Sequence, residues 1–351
     1  MSSKTSLSIT WKQPDVMAGD CRLGVFSIAL SYAKVLDISP AELFGFGCGL
    51  SFILQKITLS DHLSLIGFAG RDLNTELYFC LKNNIHIKTI QSKQPSSITH
   101  VDKDILNELS FGRPIMANVD RYYLDYLKYE KAHFGWHLVL VVGCDQRESS
   151  LDIIDYVVNG TQTISAEAFN KSHFKELAYT APAGKKYIIY EQQRRISSFG
   201  AVGFNAAFKT QSEKMLGENG SVNALLHFSR FLSKTARKAV VNKGARNFLK
   251  YQVPFIYKTV REQEYTSSMY RALYLEFIKK CMSDYSANNF EDDVISLFNY
   301  DVQLWKRLAT SEGKTGDNDY IYQANAIAAL IEEIANIEEK LFNHIKEISW
   351  R

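Results

Sequence analysis

The stretch His133-Phe-Gly-Trp-His137-Leu-Val-Leu-Val-Val-Gly143-Cys-Asp145 is the most informative part of this chain. It predicts a buried strand and places a histidine at the start of that strand. Unbroken runs of Leu and Val such as Leu138–Val142 are typical of buried strands. An imidazole at the start of such a strand is held rigidly, which suits a general base. We therefore predict that His137 is a catalytic base. The alternative is a core histidine whose ring nitrogens are both hydrogen-bonded.

Two further residues fit a nucleophilic site built around His137. Asp155 ends a second apolar run that begins at Leu151. Cys21 stands at the expected start of a helix with Asp20 as its N-cap, where the helix dipole and a nearby imidazolium both favour a thiolate. Cys, His and Asp in this order predict a nucleophile, a base and an orienting acid. Taken alone, Cys21 is a small buried hydrophobe and Asp155 a strand-end carboxylate.

Other kinds of site are weaker interpretations of the same residues. His133 and His137 have the spacing of a metal-binding pair, with Cys144 as a third ligand, but Gly135 and the β-branched run behind it do not suit the helix such a pair needs. The glycines around Cys48 suggest a phosphate-binding turn, yet no strand precedes them and no Gly-Lys-Ser follows. A tight turn that packs near the catalytic helix is the favoured interpretation.

Hydrophobic periodicity divides the chain into a mixed first half and a helical second half. The predicted helices are Cys21–Leu36, Pro40–Phe44, Asn74–Asn83, Lys103–Ser110, Val222–Val240, Ser267–Met282, Phe290–Leu308 and Tyr320–Ile348. The predicted strands are Leu50–Ile57, Ile85–Ile90, Ile115–Val119, Leu138–Val142, Leu151–Val158 and Lys186–Tyr190. Helices followed by a sheet indicate an α+β fold, and we predict a catalytic domain over residues 1–195 and a helical companion domain over 196–351.

Composition predicts the compartment and excludes several partners. The 351 residues carry a net charge of +3, which favours neither nucleic-acid wrapping nor an acidic tail. The five cysteines are scattered and contain no CxxC pair, so we expect a reducing cytoplasm and no structural zinc. The N-terminus has no apolar signal region and no stretch approaches the roughly 20 apolar residues of a membrane span. We expect a cytoplasmic protein that binds neither a membrane nor nucleic acid.

Four segments carry a resemblance to a known family. They are Cys21-Arg-Leu-Gly24 with its helix, Glu42–Phe52, Arg113-Pro-Ile with Val119–Tyr126, and His133–Asp145. On these segments the chain resembles acyltransferases of the butirosin biosynthesis protein H type, a papain-like group related to bacteriocin-processing cysteine peptidases. They cover nearly the whole N-terminal half. Tyr270–Ile278 is a looser match to the helical motif of that family's companion domain.

The resemblance implies a papain-like cysteine-protease-type N-terminal domain with a mostly helical C-terminal domain. It also implies transfer of an acyl group from the phosphopantetheine thioester of an acyl or peptidyl carrier protein to a small amine or diamine, with no bound cofactor. The product is an amide in antibiotic or other specialised-metabolite biosynthesis. On this resemblance Cys21 is the nucleophile, His137 the base and Asp155 the residue that orients it.

The oxyanion hole and the residue before the nucleophile depart from the family's pattern. The papain-type glutamine expected some six residues before Cys21 is Asp15 here, and Gln13 is the nearest amide. We expect the backbone N–H of Cys21 to supply one oxyanion donor and take Gln13 as the candidate for the other. Many relatives have histidine where this chain has Asp20.

Substrate and partner contacts are predicted from aromatic and basic clusters. Candidates for the substrate channel are Tyr122, Tyr123, Tyr126, His133 and Trp136, with ordinary loop packing as the alternative. Seven basic side chains and no acid lie between Arg230 and Lys250. Because carrier proteins are acidic, Arg230, Lys234, Arg237 and Lys238 are docking candidates, although a solvated helix face explains them equally well.

The sequence allows more than one role for the helical half and more than one reaction. The helical half is expected to cover the cleft and keep water out, or else only to pack or form a homodimer. A cysteine peptidase or amide hydrolase would use the same Cys21–His137 pair. A catalytically silent protein that binds a metabolite or a carrier is the third possibility.

Overall fold

The computed structural model describes residues 4–9, 20–60, 63–127, 133, 136–175, 183–192, 195–262, 267–284, 292–311 and 319–347. Over these residues the strands are β1 (Lys4–Ser6), β2 (Leu50–Ser60), β3 (Leu63–Arg71), β4 (Ile87–Gln91), β5 (Ile115–Val119), β6 (His137–Asp145), β7 (Ser150–Ile154), β8 (Thr161–Ser165) and β9 (Lys185–Ile189). The helices are α1 (Cys21–Tyr32), α2 (Pro40–Phe46), α3 (Thr75–Lys82), α4 (Lys103–Ser110), α5 (Ala166–His173), α6 (Gly200–Leu216), α7 (Ser221–Ala239), α8 (Lys243–Glu262), α9 (Arg271–Asp284), α10 (Asp292–Thr310) and α11 (Tyr320–Glu347).

The chain divides into two compact units, each built from two separate stretches. The first unit contains residues 1–43 and 76–198, and the second contains residues 44–75 and 199–351. Every strand pair in the described residues is antiparallel. Helices combined with antiparallel strands confirm the predicted α+β class.

The first unit is organised around strand β6. Its sheet has the order β4-β9-β5-β6-β7-β8, and β1 also pairs with β6. The residues from His137 to Cys144 are all buried, as their apolar run predicts. His137 is the first residue of β6 and lies opposite Val119, the last residue of β5. The histidine therefore sits at the end of two paired strands in the middle of the sheet.

Strands β5 and β6 are buried on both faces. Because successive side chains of a strand point to opposite faces, alternate residues of these two strands share one face of the sheet. A cluster of buried side chains from β5, β6 and helix α4 covers that face: Ile115, Ala117, Val119, Val139, Val141, Ile105 and Leu109. Cys21 and Tyr126 pack against the same cluster from its margin. The hydrophobic core therefore extends to Cys21, the predicted nucleophile, and to Tyr126, a predicted substrate-channel residue.

Helix α1 begins at Cys21, as predicted. The Asp20 side chain caps it, because Oδ1 accepts hydrogen bonds from the backbone N–H groups of Arg22 (2.7 Å) and Leu23 (3.3 Å). The helix ends at Tyr32, before the predicted Leu36. Lys34 has a left-handed backbone (φ 54°), which stops the helix there.

Residues 44–75 belong to the second unit, whereas the sequence places all of residues 1–195 in one domain. The difference arises because the hairpin β2–β3 buries its aromatic face among helices of the second unit. The Phe52 and Phe68 rings lie 6.1 Å and 5.6 Å from the ring of Phe228 on α7. Alternation within β2 predicts a strand but not the surface against which it packs.

The glycine-rich segment, predicted to pack near the catalytic helix, instead packs within the second unit, and its Gly45 lies in the last turn of α2. A Cβ atom on Gly45 would lie 2.1 Å from the ring of Phe277 on α9. Only a glycine permits that approach, so Gly45 is explained by close packing against α9. None of the helices in the described part of the chain is sufficiently long and apolar to cross a membrane.

Candidate active site

Cys21 is the first residue of α1 and is half-buried. Its helix lies close to the residue that follows Asp155, because a Cβ atom on Gly24 would lie 2.1 Å from the ring of Tyr156. Gly24 therefore lets the helix that carries Cys21 approach the strand end that carries Asp155.

Arg22 anchors the first turn of α1 to its neighbours. Its Nη1 donates a 2.7 Å hydrogen bond to Oδ1 of Asn118 on β5, and its Nε lies 3.7 Å from Oε1 of Glu76 on α3. The Arg22 side chain is almost fully buried. Its guanidinium also lies 5.9 Å from the centre of the Trp136 ring. This contact set fixes the position of Cys21, and the sequence gives no signal for it beyond the Cys-Arg-Leu-Gly motif.

The structure brings the three predicted catalytic residues together. His137 Nε2 lies 2.7 Å from Oδ2 of Asp155, and both side chains are buried. His137 also makes a side-chain hydrogen bond with Cys21. Because Asp155 occupies Nε2, the nitrogen left for Cys21 is Nδ1. The sulfur, the imidazole and the carboxylate thus form one hydrogen-bonded chain.

Asp155 receives two further hydrogen bonds. The Tyr126 hydroxyl donates to Oδ2 at 2.8 Å, and the Val157 backbone N–H donates to Oδ1 at 3.2 Å. Tyr126 is a predicted substrate-channel residue, and its hydroxyl contacts Asp155. Both oxygens of the buried carboxylate are therefore satisfied, which fixes its orientation and that of the imidazole it holds.

Electrostatics favour an ion pair between His137 and Asp155. Burial by itself lowers the pKa of His137, but the charges of Asp155 and Cys21 raise the pKa to about 10. Burial raises the pKa of Asp155, but His137 and the donors around it hold the pKa below the ordinary value of 3.8. Burial and the Asp155 charge raise the pKa of Tyr126. At neutral pH the imidazole is therefore protonated and the carboxylate ionised.

Residues 20–156 match the family described as butirosin biosynthesis protein H, N-terminal. This segment is similar to the N-terminal part of butirosin biosynthesis protein H. It begins at Asp20 and ends at Tyr156, so it contains Cys21, His137 and Asp155. A comparison with curated proteins finds no match. The family assignment confirms the resemblance and points to an enzyme of antibiotic biosynthesis.

Within the family segment, the remaining substrate candidates lie around a second histidine. His133 Nδ1 is 2.7 Å from Oδ2 of Asp120, and its ring stacks on Tyr122 with centroids 4.2 Å apart. The ring of Tyr123 lies 6.1 Å from that of His133. Trp136 lies instead beside Arg22. The sequence does not single out Asp120, because one aspartate among several loop residues carries no distinguishing pattern.

The described residues support neither the predicted Gln13 contact at the oxyanion hole nor a metal-binding arrangement. Gln13 lies outside the described residues, and the backbone bonds to the Asp20 cap come from Arg22 and Leu23. Asp120 and Asp155 engage His133 and His137 respectively. No group of His, Cys, Asp or Glu side chains within the described residues has the arrangement of a metal site.

The basic docking candidates all lie on α7 of the second unit. Arg230, Lys234, Arg237 and Lys238 are exposed, as are the three further basic side chains Lys243, Arg246 and Lys250 at the start of α8. Arg246 partly serves the fold, since its guanidinium donates to the Ala239 and Val240 carbonyls at the end of α7.

Proposed function

We propose that this protein forms amides by moving an acyl group from a thioester, through an acyl-Cys21 intermediate, to an amine. One observation carries the proposal: Cys21, His137 and Asp155 form a continuous hydrogen-bonded chain at a helix N-terminus. A cysteine beside a protonated imidazole is the arrangement that activates a thiol as a nucleophile.

In the first step the Cys21 sulfur attacks the thioester carbonyl and the donor thiolate leaves. One thioester replaces another, so the exchange is close to balanced. His137 gives its proton to the departing thiol and becomes neutral. The Cys21 backbone N–H is proposed to stabilise the oxyanion that forms, because the Arg22 and Leu23 N–H groups already donate to Asp20.

In the second step a neutral amine attacks the acyl-Cys21 carbonyl. The C–N bond forms, the C–S bond breaks, and His137 accepts a proton from the amine nitrogen. Asp155 stabilises the imidazolium that results, as it does in the resting protein. The reaction ends with an amide and with His137 again charged beside Cys21.

The donor is proposed to be an acyl or peptidyl carrier protein with a phosphopantetheine arm, and the acceptor a small amine or diamine. The exposed basic side chains of α7 suit an acidic carrier. We also propose a papain-like fold for the catalytic part, a companion role for residues 196–351, and a cytoplasmic location. The product class is proposed from the family's connection with antibiotic biosynthesis.

The test is intact-protein mass spectrometry after mixing the protein with an acyl-carrier protein or an acyl N-acetylcysteamine thioester. We expect one acyl group on Cys21, and none on the variant Cys21→Ala. Adding an amine should release the acyl group as an amide faster than buffer alone releases the free acid.

Two outcomes would contradict the proposal. No adduct on Cys21 would leave a silent binding protein, and release only by water would leave a hydrolase. For the carrier itself, Lys234→Glu and Lys238→Glu should slow acylation from the carrier and leave acylation from the small thioester unchanged. Equal slowing with both donors would remove α7 as the docking face.

A further inference from the structure

A second histidine–carboxylate pair, Asp120 and His133, lies beside the catalytic residues and has no part in the mechanism above. His133 Nδ1 is 2.7 Å from Oδ2 of Asp120. Asp120 is buried, and the Tyr122 backbone N–H donates to its Oδ1 at 3.2 Å. Two bonds to Ser172 hold its backbone, since its N–H donates to the Ser172 carbonyl and its carbonyl accepts from the Ser172 hydroxyl. The carboxylate is therefore fixed before any substrate arrives.

The two pairs are held by one segment of the chain. Asp120 stands at its beginning and binds His133, while Tyr126 stands near its end and binds Asp155. Tyr122, which stacks on His133, precedes Tyr126 by four positions, and His133 precedes His137 by four positions. Four extended residues span at most about 14 Å. Asp120 directly follows Val119, which lies opposite His137 in the pairing of β5 with β6. Through its bond to Asp120, His133 is therefore held next to the strand ends that carry His137.

The second ring nitrogen of His133, Nε2, can act as a proton acceptor. In the neutral ring, donation from Nδ1 to Asp120 leaves the lone pair on Nε2. The side chain of His133 is 38% exposed, and among the described residues Nε2 has no hydrogen-bond partner. His137 differs in both respects, because it is buried and is engaged by Asp155 and Cys21.

Aminolysis requires a proton acceptor that His137 does not supply. An alkylamine has a pKa near that of lysine, about 10.4, so it arrives as an ammonium ion without a lone pair. It must lose one proton before attack and a second as the C–N bond forms. His137 accounts for the second proton only.

We infer that His133, supported by Asp120, accepts the first proton from the ammonium group of the acceptor. This inference rests on the proposed function. The ammonium N–H bond breaks, an N–H bond forms at His133 Nε2, and the Asp120 carboxylate stabilises the imidazolium. The neutral amine then attacks the acyl-Cys21 carbonyl, and His133 releases its proton to solvent. The site can thereby use basic amines, which arrive protonated, as acceptors.

The test compares two nucleophiles on isolated acyl-enzyme made with an acyl N-acetylcysteamine thioester. 1-Aminobutane is charged at neutral pH, whereas hydroxylamine is neutral and needs no first deprotonation. In His133→Gln the amide N–H can still donate to Asp120, but the side chain accepts no proton. We expect release of the Cys21 adduct by 1-aminobutane to slow on the order of 10²-fold, and release by hydroxylamine to stay within about twofold. The matched control His100→Gln, at an exposed position outside the site, should behave as the wild type with both nucleophiles.

Three results would overturn the inference. Equal slowing with both nucleophiles would make His133 a positioning residue, and no slowing with either would give it no role. If the wild-type protein forms no Cys21 adduct, the proposed function fails and this inference fails with it. A normal rate of adduct formation in His133→Gln separates the two cases, because it leaves acylation intact and places any loss in the amine step.

Discussion

Buried ionisable groups occur in both units of the molecule, but they differ in the number of partners. One carboxylate has several hydrogen-bond donors in the first unit, whereas two carboxylates share one guanidinium in the second. In the first unit, Asp155 accepts hydrogen bonds from His137, Tyr126 and the Val157 backbone. In the second unit, the fully buried Arg271 lies between two buried carboxylates. Its Nε donates to Glu338 at 2.8 Å and lies 4.0 Å from Asp301, whose two oxygens have no hydrogen-bond partner in the described residues.

The pKa values follow from this difference. The donors around Asp155 hold its pKa below 3.8, although burial opposes them. Burial raises the pKa of Asp301 well above 3.8 and also raises that of Glu338, because one guanidinium serves two carboxylates. The comparison teaches that burial alone does not decide whether a carboxylate is charged. The charges beside the carboxylate and the hydrogen bonds that it accepts decide it together with burial.

The largest effect is expected from His137→Ala, which removes the base. We expect amide formation to fall on the order of 10³-fold, because both proton transfers at Cys21 are lost. Stability should fall less than in the Arg271 variant below, since Asp155 keeps Tyr126 and Val157 as donors. Turnover with a small thioester and an amine, together with urea unfolding, measures both. A variant that keeps a tenth of the wild-type rate would end the assignment.

Arg271→Met should have the largest effect on stability. It leaves Glu338 and Asp301 without their cation and removes donors from the Ser51 and Met269 carbonyls. Breaking a buried ion pair costs about 3–5 kcal/mol, which urea unfolding should show. The control Arg237→Met, at an exposed position of α7, should change the free energy of unfolding by less than about 0.5 kcal/mol. Similar small losses in both variants would mean that the Arg271 cluster does not stabilise the fold.

Asp→Asn substitutions in the two units should show opposite dependence on pH. Because the pKa of Asp155 is lowered, its stabilisation is present above about pH 4; because the pKa of His137 is raised, the stabilisation disappears as the pH rises from 6.5 toward about 10. Because the pKa of Asp301 is raised, its contribution is full below about pH 4 and is lost as the pH rises.

Urea unfolding at several pH values tests this contrast. Asp155→Asn should be less stable than the wild type by on the order of 2–3 kcal/mol near pH 5 to 6, and the gap should close toward pH 10. Asp301→Asn should gain on the wild type as the pH rises above about 4. Parallel pH profiles for the two variants would mean that the two carboxylates titrate alike.

Alanine at two close-packed glycines gives the smallest effects and separates chemistry from folding. Added Cβ atoms at Gly24 and Gly45 would lie 2.1 Å from the Tyr156 and Phe277 rings, so each variant should lose about 1–3 kcal/mol. Gly24→Ala should also slow acylation of Cys21, because it displaces α1 from Asp155. In the control Gly244→Ala the nearest atom is 3.2 Å away, and helix propensity favours the change. Unchanged acylation in Gly24→Ala would contradict the positioning role.

Elements with a clear local pattern could be predicted from the sequence. Strand Ile115–Val119 and helix Lys103–Ser110 have the predicted bounds, because a β-rich run, an Asp102 cap and the Gly112 turn define them locally. The predicted strand Leu151–Val158 ends at Ile154 instead, since Asp155 turns to accept the Val157 N–H. Helices α5, α6 and α8 and strands β1, β3 and β8 are missing from the prediction. Helix α8 carries an internal proline at Pro254, which interrupts its helical pattern.

The candidate site residues also divide into those marked by a local sequence pattern and those identified only by a contact in the folded protein. Cys21, His137 and Asp155 could be named because a helix start and two strand ends mark their positions. Which tyrosine binds Asp155, and which carboxylate holds His133, could not be named. These contacts join residues 29 and 13 positions apart, and no local pattern distinguishes Tyr126 from Tyr122 or Asp120 from Asp125.

The sequence by itself determined the α+β class, the capped helix that begins at Cys21 and the apolar strand that begins at His137. These features depend on propensity and periodicity among neighbouring residues. Tertiary structure alone decided that Arg22 reaches Asn118, that the β2–β3 hairpin packs with the second unit, and that Asp120 supports His133. Such contacts depend on surfaces that exist only after the chain has folded, so side chains far apart in sequence determine them.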